Sequence, residues 1–278
     1  MHTGVESRES FQGTGQEDGK RFFLGYEQDR SQHMRIIIAP AKKMRQDDDT
    51  IPYKDLPVFL NEAETLMKWM QGRSYTQLKK LWKCNDSIAE LNFNRFREMD
   101  LHKRLTPAIL AYDGIAYQYM APNVFENNAF SYVEEHLRIL SGFYGVLKPM
   151  DGVVPYRLEM EAKADIDGKN LYEFWNRKLY DEVVDERRII VNLASKEYSK
   201  CIEKYLEPGD RFITVIFGNR EGDRVIQKGV YVKMARGQMV RLMAENNVQD
   251  PEEIKCFDVL GYKYNEDISD EDNYCFVK

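Results

Sequence analysis

Long apolar runs are missing from this chain. No stretch approaches the roughly 20 residues that cross a bilayer, and the longest aliphatic run near the start, Ile36 to Ile38, has the length of a strand. A membrane role is not expected. Cysteine is scarce: Cys84, Cys201, Cys256 and Cys275 lie far apart and form no C-x-x-C pair. That argues against a clustered-thiol zinc or redox motif and points to a reducing compartment. A peroxide-sensing thiol needs a lowered pKa beside a cation. Cys201 has Lys200 and Lys204 nearby, but solvated helix charges explain those lysines more simply. Of the four histidines, His2 and His33 fall in the N-terminal stretch, leaving His102 and His136. That is too few for a His-rich metal site, and no Glu-x-x-His pattern of the iron-storing kind occurs. No metal and no cofactor are expected. The start of the chain has no apolar h-region, which excludes a signal peptide. No internal repeat and no Pro/Gly/Ser linker divides the rest.

What is present suits one substantial core. The 278 residues are 43% hydrophobic and 12% aromatic, with 31% charged residues of both signs intermixed. The net charge of −6 is unevenly spread. Residues 1–33 hold six acids against four bases, and Asn265 to Asp272 holds five acids and no base. The body between them is near neutral and can carry a basic cleft on one side. Residues 1–33 are rich in Gly, Ser, Gln and acids and lack periodicity. They read as a disordered N-terminal extension, or as sequence ahead of a natural start at Met34, with a regulatory arm around Phe22-Phe23-Leu24 as the competing reading.

From Met34 to Lys278 strands and helices alternate, which predicts a single mixed α/β domain, a mixed sheet flanked by helices. Arg35 to Ala39 reads as a strand. Phe59, Leu60, Ala63, Leu66, Met67 and Met70 have helical spacing. Ser74-x-x-Gln77 is a capping box, and Asn85 caps a third helix with Ile88, Leu91 and Phe96 on its buried side. Pro107 precedes an apolar run to Tyr112, a buried strand or strand–helix junction. Ser131 caps a helix through Leu140, and Asn170 one from Leu171 to Val184. Ile189 to Leu193 is a β-branched strand followed by a helix to about Leu206. Phe212 to Phe217 and Val225 to Val232 flank a hairpin turn, Gly218 to Gly222. Ala235 to Asn246 is helical, and Tyr262–Tyr264 with Tyr274–Val277 can close a last hairpin.

Four segments can carry chemistry. The densest runs from His136 to Asp151 and on to Met160. A helix ending at Ser141-Gly142, with Gly145 opening a new apolar turn, has the layout of a helix-hairpin-helix. There glycines let the backbone approach a ligand and N–H groups hold a phosphate. Arg138, Lys148 and Arg157 flank it. Two glycines alone equally mark a helix C-cap and a tight turn. The second is Lys233 to Arg241: Lys233 and Arg236 stand one turn apart at an expected helix start, where cations oppose the macrodipole unless an anion compensates. The third is Asn192-Leu-Ala-Ser195-Lys196, a strand-to-helix loop of the kind that binds ligands in open α/β sheets, though Ser195 is also an ordinary N-cap. The fourth is Ala39-Pro-Ala-Lys42-Lys43, just past the first strand.

Taken together, Ile38-Ala-Pro-Ala-Lys42, Ala108-Ile-Leu-Ala-Tyr112, the block His136–Met160, Leu171-Tyr-Glu-Phe-Trp175, Asn192-Leu-Ala-Ser195 with Glu197-Tyr198, and Lys233-Met-Ala-Arg-Gly237 with Arg241 resemble the YaaA-type peroxide stress family, in that family's order, from Met34 to about Lys278. Met234 departs from the family, which often has a second basic residue beside Lys233. The resemblance implies a cytoplasmic protein that limits peroxide damage to DNA and protein by lowering unincorporated iron. It also implies a DNA-binding fold with a helix-hairpin-helix in a positive cleft. The DNA-binding residues expected are Lys42, Arg138, Gly142, Gly145, Lys148, Arg157, Ser195, Lys196, Lys233, Arg236 and Arg241, with Tyr144 or Tyr156 as a face for a splayed base. The rival expectation is a glycosylase- or lyase-like enzyme acting on a base through Lys148, Asp151 and Glu159, although Asp151 in Met-Asp-Gly also suits a plain turn. Iron chelation by Glu266, Asp267, Asp270, Glu271 and Asp272 is a third class, against which stands the usual hydration of terminal acids.

Overall fold

Three consecutive isoleucines cannot sit on a half-wet strand. Ile36, Ile37 and Ile38 are all buried in β1 (Arg35–Ile38), as a parallel strand covered on both faces requires. The computed structural model describes residues 34–47, 51–221 and 224–278. The expected N-terminal extension 1–33, including Phe22–Leu24, lies outside them, as does Gly222 of the expected hairpin turn. Beside β1 run β2 (Leu137–Ser141) on one side and β4 (Ile189–Asn192) on the other, both parallel to it, with Ile36 opposite Leu137 and Val191. Beyond β4 come β5 (Arg211–Glu221) and β8 (Asn273–Val277), again parallel. Antiparallel β3 (Gly145–Leu147) and β7 (Lys263–Tyr264) close the two ends, and β6 (Arg224–Ile226) pairs with β5. The order is β3-β2-β1-β4-β5-β8-β7, a mixed sheet as expected.

The helices are α1 (Leu60–Gln71), α2 (Tyr75–Trp82), α3 (Asp86–Arg97), α4 (Ile115–Met120), α5 (Asn127–His136), α6 (Leu171–Trp175), α7 (Lys178–Val183), α8 (Lys196–Glu203) and α9 (Gly229–Glu245). Local signals set several starts. Ser74 and Gln77 form the reciprocal capping box, and Asn85 accepts from the Ile88 N–H at 3.0 Å. Asn170 caps α6 with Glu173, but the positive φ of Asn176 splits the expected long helix in two. Ile88 and Leu91 turn outward, while Ala89, Asn92 and Phe96 are buried. The stretch expected as a strand through Val232 ends at Ile226, and α9 begins at Gly229. Pro107 and Ala108 form the strand–helix junction: Thr106–Pro107 pairs with Gly152–Val153 and a helical turn follows.

The largest correction concerns His136 to Leu147, which is not a helix-hairpin-helix. Its helix stops at His136, and β2 and β3 make a β-hairpin. All five residues of β2, Arg138 included, are buried, so the run has no polar face from which a helical period can be read. Gly142 leaves no room for a side chain, since a Cβ would lie 2.4 Å from the Leu158 carbonyl oxygen. Gly145 has φ +74 and would meet Trp175 at 2.8 Å. The Ser141 hydroxyl accepts from the Phe143 and Tyr144 N–H groups and closes the turn. Both glycines serve the core.

Candidate functional site at the carboxyl ends of β1 and β4

From β1 the chain crosses to β2 on one side, and later returns to β4 on the other. The loops leaving β1 and β4 therefore diverge and open a crevice, the usual ligand position in an open α/β sheet. A pocket of about 360 Å³ occupies it. Ala39–Lys43 after β1, Leu193 and Ser195 after β4, Asp113–Tyr117 at the start of α4, Tyr156–Glu159, Glu197 and Tyr198 of α8, and Lys233 and Arg236 of α9 line it.

Gly237 fixes the last pair. A Cβ there would fall 1.9 Å from the Ala116 carbonyl oxygen, so glycine alone lets α9 lie against α4 and carry Arg236 to the cavity wall. The floor is aromatic: Tyr156 is fully enclosed, its hydroxyl 2.9 Å from that of Tyr112 and 2.6 Å from Ser141 Oγ. The Tyr117 hydroxyl donates to the Ala39 carbonyl at 3.1 Å. Burial pushes the phenols of Tyr112, Tyr117 and Tyr198 up, and that of Tyr156 to about 12. All stay neutral near pH 7.

The charges are mixed. Glu159 lies 3.3 Å from Lys42 and 2.9 Å from Arg157. Glu197 accepts from the Glu161 N–H at 3.2 Å. Its carboxyl is raised by burial, and further by the charges of Glu161 and Glu159, against the opposing Glu161 N–H bond and the charge of Lys42. Arg236 is the exception in this balance. Burial alone pushes its guanidinium down to about 10, and its Nε has no acceptor. No carboxylate among the described residues pairs with it. Ser195 begins α8 without a side-chain capping bond.

Of the residues expected to bind DNA, the structure gathers Lys42, Arg157, Ser195, Lys233 and Arg236 at this pocket. The rest are elsewhere. Arg138 reaches back towards the amino end of its strand and donates to the carbonyls of Glu134, Glu135 and Leu137. Gly142 and Gly145 are the hairpin turn. Lys148 and Asp151 border a separate cavity of about 30 Å³ with Leu56 and Glu182, and Asp151 accepts from the Lys148 N–H at 2.8 Å. Lys196 pairs with Glu203 beside an adjoining depression that also touches Arg236. Arg241 pairs with Glu245 at 2.7 Å, down the helix from the pocket. Tyr144 is buried, its hydroxyl accepting from the Val154 N–H. Of the expected catalytic set only Glu159 is at the pocket. Glu197 was missed; its place at N2 of a helix leaving a strand was the available signal.

Cys201, the thiol with lysines beside it in sequence, does not have the surroundings of a sensor. Cys201 is buried and its thiol is pushed up to about 12, while Lys200 is engaged by Glu161 and lies over the Tyr172 ring. No group of three or more metal-binding side chains occurs among the described residues, and no helix there is long and apolar enough to cross a membrane.

An open α/β sheet with a mixed-charge pocket at its switch point defines the class, an α/β protein with a candidate ligand site. More narrowly, the chain belongs to the YaaA peroxide stress protein family, whose model matches residues 34–268. It is 59% identical over 246 residues to a UPF0246 protein of Agathobacter rectalis, covering 88% of this chain and 99% of that one. It is 55% identical to one of Desulfitobacterium hafniense and 51% to one of Lachnoclostridium phytofermentans, over 88% of this chain and 98% and 96% of theirs.

Proposed function

We propose that this protein acts in the cytoplasm during peroxide stress by binding DNA, seating one unpaired nucleotide in the β1–β4 pocket with its phosphate on Arg236. Family membership supports the stress role. The observation that carries the ligand chemistry is Arg236, a half-buried cation with no carboxylate partner among the described residues, beside Lys233 and Ser195. A phosphate supplies the missing charge. Glu159 and Glu197 argue against a long phosphate backbone crossing the pocket floor. They suit the donor groups of a base, for which Tyr156 and Tyr117 offer apolar walls. The pocket volume suits one such unit. The link to lower unincorporated iron comes with the family resemblance, and the site adds nothing to it.

The test is binding to duplex, bubble and single-stranded oligonucleotides over a range of salt. Lys233→Ala with Arg236→Ala should weaken bubble and single-strand binding and flatten the salt slope by up to about 1.4, for two phosphate contacts. Salt-independent binding, or none, rejects the reading. A second reading has its own support: Glu159, held by two cations, shares the pocket with Glu197, whose carboxyl is raised by burial, and two carboxylates in one pocket can serve as acid and base. If oligonucleotides bearing uracil, an oxidised base or an abasic site are cleaved, and Glu159→Gln or Glu197→Gln abolishes this, the enzyme reading replaces the first.

A further inference from the structure

A second concavity, of about 600 Å³, lies between α1, α2 and the loop holding Lys163 and Asp165. Its chemistry differs from that of the main pocket. Arg73, Lys80, Lys83 and Lys163 face it with one acid, Asp165. Asp165 is already engaged by the Gly168 N–H at 2.7 Å. None of the four cations has a carboxylate partner among the described residues. Lys79, on the same short helix, is matched by Asp86 at 2.5 Å. In a chain with more acids than bases, four unmatched cations around one hollow leave a local positive field. In the wall stands Trp69, half-buried, with Arg73 over its ring at 4.4 Å and an indole N–H that meets no acceptor.

We infer that this groove is a contact for single-stranded nucleic acid, taking a base against Trp69 and Arg73 and phosphates on Lys80, Lys83 and Lys163. A planar indole beside a guanidinium gives a π-face to an unpaired base; a duplex keeps its base faces stacked, and an acidic peptide has none to offer. The position fits a strand leaving the main pocket. The Trp82 indole donates to the Arg157 carbonyl at 2.6 Å, so the end of α2 is tied to the pocket wall. The segment from Arg157 and Glu159 to Lys163 and Asp165 runs from one cavity to the other. The inference rests on the nucleic-acid reading of the main pocket, but it is carried by different residues.

Intrinsic fluorescence separates the two, because Trp82 and Trp175 are buried and Trp69 is the tryptophan that lines the groove. Titrating the full chain with a short oligodeoxythymidylate should quench Trp69. Trp69→Leu should lose the quench and weaken binding by about 10-fold. Lys80→Glu with Lys83→Glu, both exposed, should keep the fold and lower the single-strand salt slope by about 1.4. In Arg236→Ala the quench should persist. If Arg236→Ala binds like wild type while Trp69→Leu does not, the groove stands and the pocket reading falls. Wild-type affinity in both groove variants, no binding by the wild type, or equal quenching by polyglutamate overturns the inference.

Discussion

Replacing a residue packed into a protein's fold usually destabilises it, yet replacing the half-buried Arg236 by Met should do the opposite. The guanidinium is held at the pocket wall with no counter-charge, and burial pushes its pKa from the ordinary value down to about 10. A cation with a lowered folded-state pKa opposes folding at every pH below that value, and the opposition fades only as the unfolded chain also loses its proton. At about 1.4 kcal/mol per pKa unit the upper bound is about 3 kcal/mol at pH 7. Methionine keeps an unbranched side chain of similar length at the pocket wall without the charge. The expected gain is about 1–3 kcal/mol, or roughly 3–9 °C for a domain of this size. It should be measured by urea and thermal unfolding at low salt with non-binding buffer ions. Inorganic phosphate at 100 times its dissociation constant should add about 2.7 kcal/mol to the wild type and nothing to the variant. An Arg236→Met protein less stable than wild type, or one equally stabilised by phosphate, refutes the reasoning: the charge would then already be compensated within the fold.

Two further outcomes follow from packing and burial. Gly237→Ala places a methyl where the Ala116 carbonyl stands, so α4 and α9 must separate; it should cost about 2–4 kcal/mol by thermal unfolding and weaken oligonucleotide binding as Arg236 shifts. Asp151 is raised by burial to about 7, so its contribution to stability is full below about pH 4 and is lost as pH rises to about 7. Asp151→Asn keeps the acceptor for the Lys148 N–H and should gain about 1–3 kcal/mol at pH 8, with no gain at pH 4, by urea unfolding at the two pH values.

Much of the fold was legible locally. The capping residues Ser74, Asn85 and Asn170 start helices where their side chains predict, because a cap is decided by a few adjacent residues. The strands Arg35–Ile38 and Ile189–Asn192 announce themselves by β-branched runs. The His136–Leu147 segment does not, because a fully buried strand and a buried helix share one composition, and the partner strand that chooses between them is a hundred residues away. Ile88 and Leu91, expected inside and found exposed, tell the same story: which face of α3 is wet depends on α1 and α2.

The sequence by itself determined the family, the alternation of elements and the residue types of the site, since these depend on order and local chemistry. Tertiary structure alone decided which cations meet. Chain crossing at β1 and β4, and the side-chain-free contact of Gly237 with Ala116, bring Lys42, Arg157, Lys233 and Arg236 together from nearly two hundred residues apart. The same folding turns Arg138, Lys148 and Arg241 away and sets Glu159 and Glu197 among the cations. Whether a charge is matched is a property of its neighbours in space, and no local pattern encodes it.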